Sequence, residues 1–538
     1  MISRRCPVLP PLRRWRTVFA SLAVVGLILS AALAAGGPST ERVSVSGTGA
    51  QANFSSDGPA MSRDGRFVAF VSRASNLVVG DTNLRQDVFV HDRQTGVTER
   101  VSVSSNGAQG NSASSAPAIS DDGRFVAFQS QASNLVPGDT NASQDIFVRD
   151  RQLGTTTRVS VSSAGAQGSG KSANPSLSSD GHLVAFESAA PNLVAMDLNG
   201  FPDIFVRDLM AGTTALVSVD NTGAQTNGDS GNPVLSGNGR FVAYDSDANN
   251  LVAGDVNAKR DIFVFDRKTA TVELVSAGGA PLPTLGDRNL PAINRNGRYV
   301  SFGAIATSLP GQPRAILLRD RKTGKTQLVL AGSLGFVSGI SGDGHYVGFS
   351  TLRSLVAADT NLVSDVYLWN RVTSAVARVS VSSSGAQGNN SSGEALRGPA
   401  LSEGGDWVAF TSLAGNLVAG DSNGVTDVFV RDRDTAAPRL SAPGSRKYGN
   451  VAVGAMKTLT VKIRNVGTAT LTGTVKAVKK PFKITKGGGA FSIAPGKTKR
   501  VKVKFSPTAV GPAKRVLVIT SNDPSKPKKK VKLIGAGV

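Results

Sequence analysis

The sequence predicts an all-β chain of two domains, and three observations predict it. First, the stretch Ser-Arg-Asp-Gly-Arg-Phe-Val-Ala-Phe at 62–70 returns, with variations, six more times. Its turn glycines are Gly65, Gly123, Gly181, Gly239, Gly297, Gly344 and Gly405. The intervals are 58 residues four times, then 47, then 61, and a near-fixed period of this size marks a repeat architecture. Second, no segment of the repeat carries a 3.6-residue apolar period, so helix content is low. Third, alternation of apolar and polar residues persists beyond residue 438, but there the charged residues are almost all basic.

One repeat, residues 117–162, reads as four short strands. Pro117–Ser120 is the first. Asp122-Gly123 is a tight turn, because glycine tolerates positive φ. Phe125–Ser130 is an apolar second strand, and residues 131–144 form a long polar loop. Asp145–Asp150 is the third strand, Leu153-Gly154 turns the chain, and Thr157–Ser162 alternates as a half-exposed fourth strand. Four antiparallel strands per repeat make one blade of a β-propeller, and seven repeats make seven blades. The seventh repeat supplies three strands, Pro399–Ser402, Trp407–Phe410 and Asp427–Val430. Glu41–Ser46 matches a fourth strand with no first three before it. The expectation is that this strand completes the last blade and leaves no open edge in the ring.

The pattern Pro-x-x-Ser-x-Asp-Gly-Arg-x-Val-Ala-Phe, followed by Asp-Ile-Phe-Val-x-Asp and Thr-Gly, resembles the TolB-type, WD40-like (PD40) propeller repeat over residues 41–434. Two repeats depart from it. The fifth lacks the Asp-Thr-Asn loop and reads Ser308-Leu-Pro-Gly-Gln-Pro-Arg314, which accounts for the 47-residue interval. The seventh has Gly404-Gly405-Asp406 in place of Asp-Gly-Arg.

Residues 1–35 read as a signal peptide. Arg4, Arg5, Arg13, Arg14 and Arg16 precede an uncharged stretch, Thr17–Ala35, with a small-x-small site at Ala32-Leu33-Ala34. The competing reading is an uncleaved membrane anchor. Both export the remainder, so a secreted or envelope-associated bacterial protein is expected. Cys6 is the only cysteine, and stability beyond that segment must come from packing and strand pairing rather than disulfides.

Residues 439–538 carry 23 Lys or Arg and one acid, Asp523, whereas residues 1–438 carry 37 basic and 37 acidic residues. The net charge of +22 therefore belongs to one small domain. Leu459, Val461 and Ile463 alternate with Thr460, Lys462 and Arg464. Val501, Val503 and Phe505 alternate with Arg500, Lys502 and Lys504, and Val531 and Leu533 with Lys530 and Lys532. Such alternation, with turns at 465–467, 486–489 and 495–496, predicts an immunoglobulin-like β-sandwich. The segments Tyr448–Gly454, Arg464–Leu471, Ile493–Thr498, Val503–Thr508 and Thr520–Pro524 resemble the ASH/HYDIN-like (choice-of-anchor type) Ig-like domain, which implies an interaction module without catalytic residues. Lys502, Lys504, Lys528, Lys529, Lys530 and Lys532 are the candidate contacts to an anionic envelope polymer. Nucleic acid is disfavoured, because Tyr448, Phe482, Phe491 and Phe505 fall mostly on the apolar side and make poor stacking platforms.

Catalytic constellations are sparse. His91, His182 and His345 are single-copy variants of repeated strand or turn positions, and no His spacing matches a metal site. No Gly-x-Ser-x-Gly elbow sits between strand and helix. Asp64, Asp122, Asp180 and Asp343 are read as fixing their turns through side-chain to backbone hydrogen bonds. The best candidate site is the loop Asp-x-Asn-x-x-x-Asp. It recurs as Asp81/Asn83/Asp87, Asp139/Asn141/Asp145, Asp197/Asn199/Asp203, Asp255/Asn257/Asp261, Asp359/Asn361/Asp365 and Asp421/Asn423/Asp427. Oxygens at positions 1 and 3 begin many calcium loops, but the remaining EF-hand positions are absent, and the alternative is a cap leading into the third strand. No other cofactor is implied. The long loops and the Gly-Ala-Gln-Gly connections share one propeller face, expected to bind a protein or glycan. The competing class is a propeller hydrolase or lyase acting on extracellular glycans or peptides. It requires an acidic pair in the channel, for which Glu394, Glu403 and Asp406 of the seventh blade are the candidates.

Overall fold

The computed structural model describes residues 38–276, 285–306, 314–333, 338–393, 398–433, 438, 440–465, 467, 469–523 and 528–538. The signal-like segment, Glu394 and most of the fifth-blade loop lie outside the described residues. Every regular element described is a strand.

Seven four-stranded antiparallel sheets form the first domain. In blade 2 the strands are Ser114–Ile119, Phe125–Ser130, Asp145–Asp150 and Thr155–Arg158. The first strands of successive blades touch one another all the way round, from blade 1 to blade 7 and back, so they line the axis. Closure follows the expected route: Ser39–Arg42 pairs with Asp427–Asp432 as the outer strand of blade 7.

Three boundaries differ from the sequence reading. The first strand of blade 2 begins at Ser114 and is bulged between Ser115 and Ala118. The fourth strand ends at Arg158, not Ser162. Beyond it, the Ser160 Oγ turns inward to donate to Asp145 (2.5 Å) and to accept from the Ile146 amide (3.1 Å), while Val161 bridges to Gln167. The Val-Ser-Val-Ser run thus leaves the ladder to start the next connection. For the same reason the N-terminal strand is Ser39–Arg42 rather than 41–46. Blade 5 confirms that loop length trades against strand length. Lacking the Asp-x-Asn loop, its strands extend to Leu285–Ile293, Tyr299–Ala306, Arg314–Asp320 and Lys325–Ser333.

In six of the seven blades the second and third strands contribute a stacked aromatic pair, such as Phe128 and Phe147 with centroids 5.9 Å apart; in blade 5 Phe302 stands opposite Leu317 instead. Between blades the turn glycine is decisive. Gly123 has φ +75, and a Cβ there would overlap the Phe67 ring of blade 1. The equivalent contacts run Gly65 to Trp407, Gly181 to Phe125, Gly239 to Leu183, Gly297 to Phe241, Gly344 to Tyr299 and Gly405 to Tyr346. Arg151 adds to this joint, stacking 4.6 Å from the Phe67 centroid while donating to the Gly123 carbonyl.

The second domain is a nine-stranded sandwich. One sheet orders Leu440–Ser441, Lys457–Asn465, Thr498–Phe505 and Phe482–Lys486. The other orders Ser445–Val451, Lys528–Gly537, Gly511–Ser521, Leu471–Val475 and Gly489–Ile493. Between them Tyr448, Phe482 and Phe505 pack as one aromatic cluster, and the buried Tyr448 hydroxyl donates to the Val503 carbonyl at 2.8 Å.

Gly123→Ala separates clash from backbone strain. It is expected to cost about 3 kcal/mol in denaturant unfolding, from positive φ plus overpacking. Gly107→Ala, also at positive φ but with nothing within 4 Å of the new Cβ, should cost only about 1 kcal/mol. Equal losses at the two positions would show that the inter-blade contact adds nothing.

Candidate functional site

Each Asp-x-Asn loop folds around a fixed set of intrachain bonds. The Asn oxygen accepts from the amide two residues on, as Asn83 does from Arg85 (2.9 Å), Asn141 from Ser143 (2.9 Å) and Asn199 from Phe201 (3.0 Å). Its amide nitrogen donates to the last Asp, for example Asn423 to Asp427 at 2.7 Å, and to the connection between blades, for example Asn83 to the Gly110 carbonyl at 3.0 Å. This is the capping geometry, and it recurs at Asn257 and Asn361.

An arginine from the outer strand completes four of the loops. Arg100 Nη1 lies 3.0 Å from Asp81, 3.6 Å from Asp87 and 2.9 Å from the Gln109 oxygen. Arg158 bridges Asp139 and Asp145, Arg378 bridges Asp359 and Asp365, and Arg42 bridges Asp421 and Asp427. These groups are almost entirely buried. Burial pushes the carboxyls of Asp81, Asp87, Asp145, Asp365, Asp421 and Asp427 up, against serine and asparagine donors and the arginine charge, which pull them down. In blades 3 and 4 the arginine position is Leu216 and Leu274. Here Asp197 and Asp203 are likewise pushed up by burial, and Asp255 and Asp261 are buried.

The named aspartates therefore point inward, the asparagines are half-buried except for exposed Asn257, and the loops present apolar tips instead. Val79, Leu84, Met196, Leu198, Val256 and Leu362 are all exposed, and Leu84 and Leu362 hold positive φ. Sequence reasoning missed the arginine brace, although its signal was present: Arg100, Arg158 and Arg378 each stand thirteen residues after the second loop Asp.

At the opposite, turn face the axis ends in a ring of one residue per blade: Arg63, Asp121, Ser179, Gly237, Arg295, Gly342 and Glu403. Main-chain hydrogen bonds link each blade to the next around this ring, from Arg63 to Asp121 (3.2 Å) through to Glu403 back to Arg63 (3.0 Å). Arg295 reaches across to Asp121 and lies 3.7 Å from Glu403, which also pairs with Arg63 at 3.3 Å. A small cavity of about 160 Å³ remains. Glu403 is thus in the channel mouth, as the catalytic alternative requires. The acid opposite it is Asp121, and arginines hold both. Asp406 sits at the turn, its carbonyl accepting from the Arg433 amide at 3.0 Å.

The histidines occupy repeat positions. His91 shares a buried hydrogen bond with Thr98 (2.8 Å), His182 tilts against Phe125, and His345 lies 3.0 Å from Asp343. Asp64, Asp122, Asp180 and Asp343 each accept from the amide two residues on, at 3.0–3.1 Å.

On the sandwich, the six named lysines do not share one face. Lys502 and Lys504 lie on the outer face of the four-stranded sheet. Lys528, Lys530 and Lys532 lie on the other sheet, opposite Thr520, Val518 and Val516, while Lys529 is half-buried opposite Ile519. Strand pairing brings further cations to the first face: Lys462 stands opposite Arg500, Lys483 opposite Lys504 and Lys486 opposite Lys502, with Arg464 in the same row. The domain's only acid, Asp523, is buried and accepts from the Leu440 amide at 2.6 Å.

Residues 445–538 match the family model of Cep192 domain 4. No match was found among curated proteins. Among solved structures, the chain is similar to an oligogalacturonate lyase from Vibrio parahaemolyticus at 13% identity, covering 74% of this chain and 97% of that one, with a TM-score of 0.47. It is similar to TolB from Acinetobacter baumannii at 17% identity, covering 53% and 57%, with a TM-score of 0.34. Its C-terminal part is similar to the ASH/PapD-like domain 7 of human CEP192 at 12% identity, covering 20% and 87%, with a TM-score of 0.16. The chain folds as a seven-bladed β-propeller followed by an immunoglobulin-like β-sandwich. Among the described residues no helix is long and apolar enough to cross a membrane.

Replacing Arg100 by Leu recreates the blade 3 arrangement in blade 1. Leaving Asp81 and Asp87 buried without their cation should cost about 3 kcal/mol at pH 7. A carboxyl whose folded-state pKa lies above its unfolded value stabilises the fold below that pKa and loses the contribution as pH rises. Removing the arginine raises both carboxyls further, so the deficit should shrink as pH falls toward 4. A deficit independent of pH, measured by urea unfolding, would disconnect the arginine from the carboxylates.

Proposed function

We propose that this chain is an exported, non-catalytic binding protein of the bacterial cell envelope, anchored by its basic Ig-like domain to an anionic polymer. The observation that carries the reading is the outer face of the four-stranded sheet. Seven cations, Lys462, Arg464, Lys483, Lys486, Arg500, Lys502 and Lys504, share it with threonines and no acid. Like charges directly opposite each other on a sheet cost stability, so a solubilising surface has no reason to align them. A polyanion lying across the strands removes that repulsion and releases its own counterions.

The propeller takes the second task in this reading. Its slight acidic excess, 32 basic against 37 acidic residues over 41–434, and its inward-turned carboxylates leave the apolar loop tips as the surface that meets a protein or glycan. The exported location follows from the signal-like segment at 1–35 and is part of the proposal.

The test uses the full chain and its Lys502→Glu/Lys504→Glu variant. Both are titrated onto lipoteichoic acid and onto anionic phospholipid vesicles between 0.05 and 0.5 M salt, with about one unit of log–log salt slope lost per phosphate contact removed. Expected is salt-reversible binding by the parent and at least a tenfold loss in the variant, with melting unchanged or raised. Equal binding by the two proteins would move the attachment to another surface.

A further inference from the structure

Four arginines define a position as well as a bond. In blades 1, 2, 6 and 7 a guanidinium nitrogen stands between the first and last loop carboxylates. In blade 3 the same place on the outer strand is Leu216, whose Cα opposes Phe205 just as that of Arg100 opposes Phe89. Asp197 and Asp203 are nonetheless present and buried, 5% and 0% exposed. Among the described residues no Lys or Arg neutralises either of them. Their remaining contacts are uncharged: the Gln225 amide to Asp197 at 3.4 Å, and Ser218, Asn199 and Thr226 to Asp203 at 2.5–3.0 Å. Two buried carboxylates without a cation are costly.

Two exchanges beside this site add oxygen where the sister sites have none. Thr226 stands where the other loops have Ala52, Gly110, Gly168 and Gly388, and its Oγ1 lies 3.0 Å from Asp203. Tyr244, on the second strand of blade 4, stands where the sister sites have Phe70, Phe128, Phe186 and Phe410. Its hydroxyl is fully buried, has no hydrogen-bond partner and sits in the field of the Asp203 carboxylate. A buried hydroxyl left unbonded costs stability unless something meets it.

We propose that blade 3 binds a calcium ion in the place its sister blades give to arginine. Asp197 and Asp203 balance a divalent charge. Thr226 and Tyr244 add neutral oxygens, and calcium, unlike magnesium, accepts such an irregular, oxygen-only set. The four loops with an arginine have no room for the ion, and of the two with leucine only the blade 3 loop has a tyrosine, Tyr244, on the next blade's second strand, where the blade 4 loop has Phe302.

The experiment takes the full chain, stripped with a chelator and titrated calorimetrically with CaCl₂ and, separately, MgCl₂. Calcium is expected to bind and to raise Tm by about 2 °C or more at saturating concentration. Leu216→Arg should fold, because it copies the arrangement of four sister blades, and should take up one calcium fewer per chain. Asp197→Asn, a smaller change that keeps the loop hydrogen bond, should lose the same equivalent. No calcium uptake by the parent, preference for magnesium, or uptake unchanged in both variants would overturn the assignment.

Discussion

Everything in the propeller depends on seven glycines that leave room for the neighbouring blade. The Asp-Gly turn reads locally as a hairpin connection, and locally it is one. Its larger role is to bring bare backbone against the first residue of the previous blade's second strand, an aromatic at all but Leu183. That ring is held on its faces as well. Arg66 and Arg151 each lie 4.6 Å from the Phe67 centroid, while Arg66 forms a two-pronged bond to Asp92 at 2.8 and 2.6 Å. Blade spacing is thus set by a stack of glycine, ring and guanidinium, and the axial ring of main-chain hydrogen bonds can close only because that spacing repeats. The last joint, Gly65 on Trp407, is made by the largest ring, in the blade assembled from both ends of the domain.

This explains which parts of the fold were legible. Blade number, the second and third strands and the closing strand follow from a period and from apolar runs, which are local signals. The fourth strand was misplaced because Val-Ser-Val-Ser alternates as a strand should. Nothing local says that Ser160 bonds a buried Asp145 rather than solvent. The site was legible by residue type and not by orientation. Asp81 and Asp87 were found, but only the pairing of the outer strand with the third shows that Arg100 lies between them. Likewise, Lys502 and Lys504 could be named from alternation. Lys483 and Lys486 join them only through a strand pairing that sequence does not state.

The two domains treat cations in opposite ways, and burial decides which. In the propeller, arginines are drawn inside to neutralise carboxylates that turn the loops. A buried pair of this kind adds little net stability, because desolvation offsets most of the attraction. It does fix geometry, since each loop has one arrangement that satisfies all its donors and acceptors.

In the sandwich the reverse holds. Val461, Ile463, Val501, Val503 and Phe505 fill the core, and the alternate positions on the same strands are cationic. The core must offset the mutual repulsion of that outer face, and the repulsion is screened by salt over about 8–10 Å at physiological strength. On the proposed attachment, the free and anion-bound domains differ in stability by whatever repulsion the partner removes, so attachment would be coupled to folding through the same residues. Alignment of charge across strands, rather than its amount, is what separates this face from an ordinary basic surface.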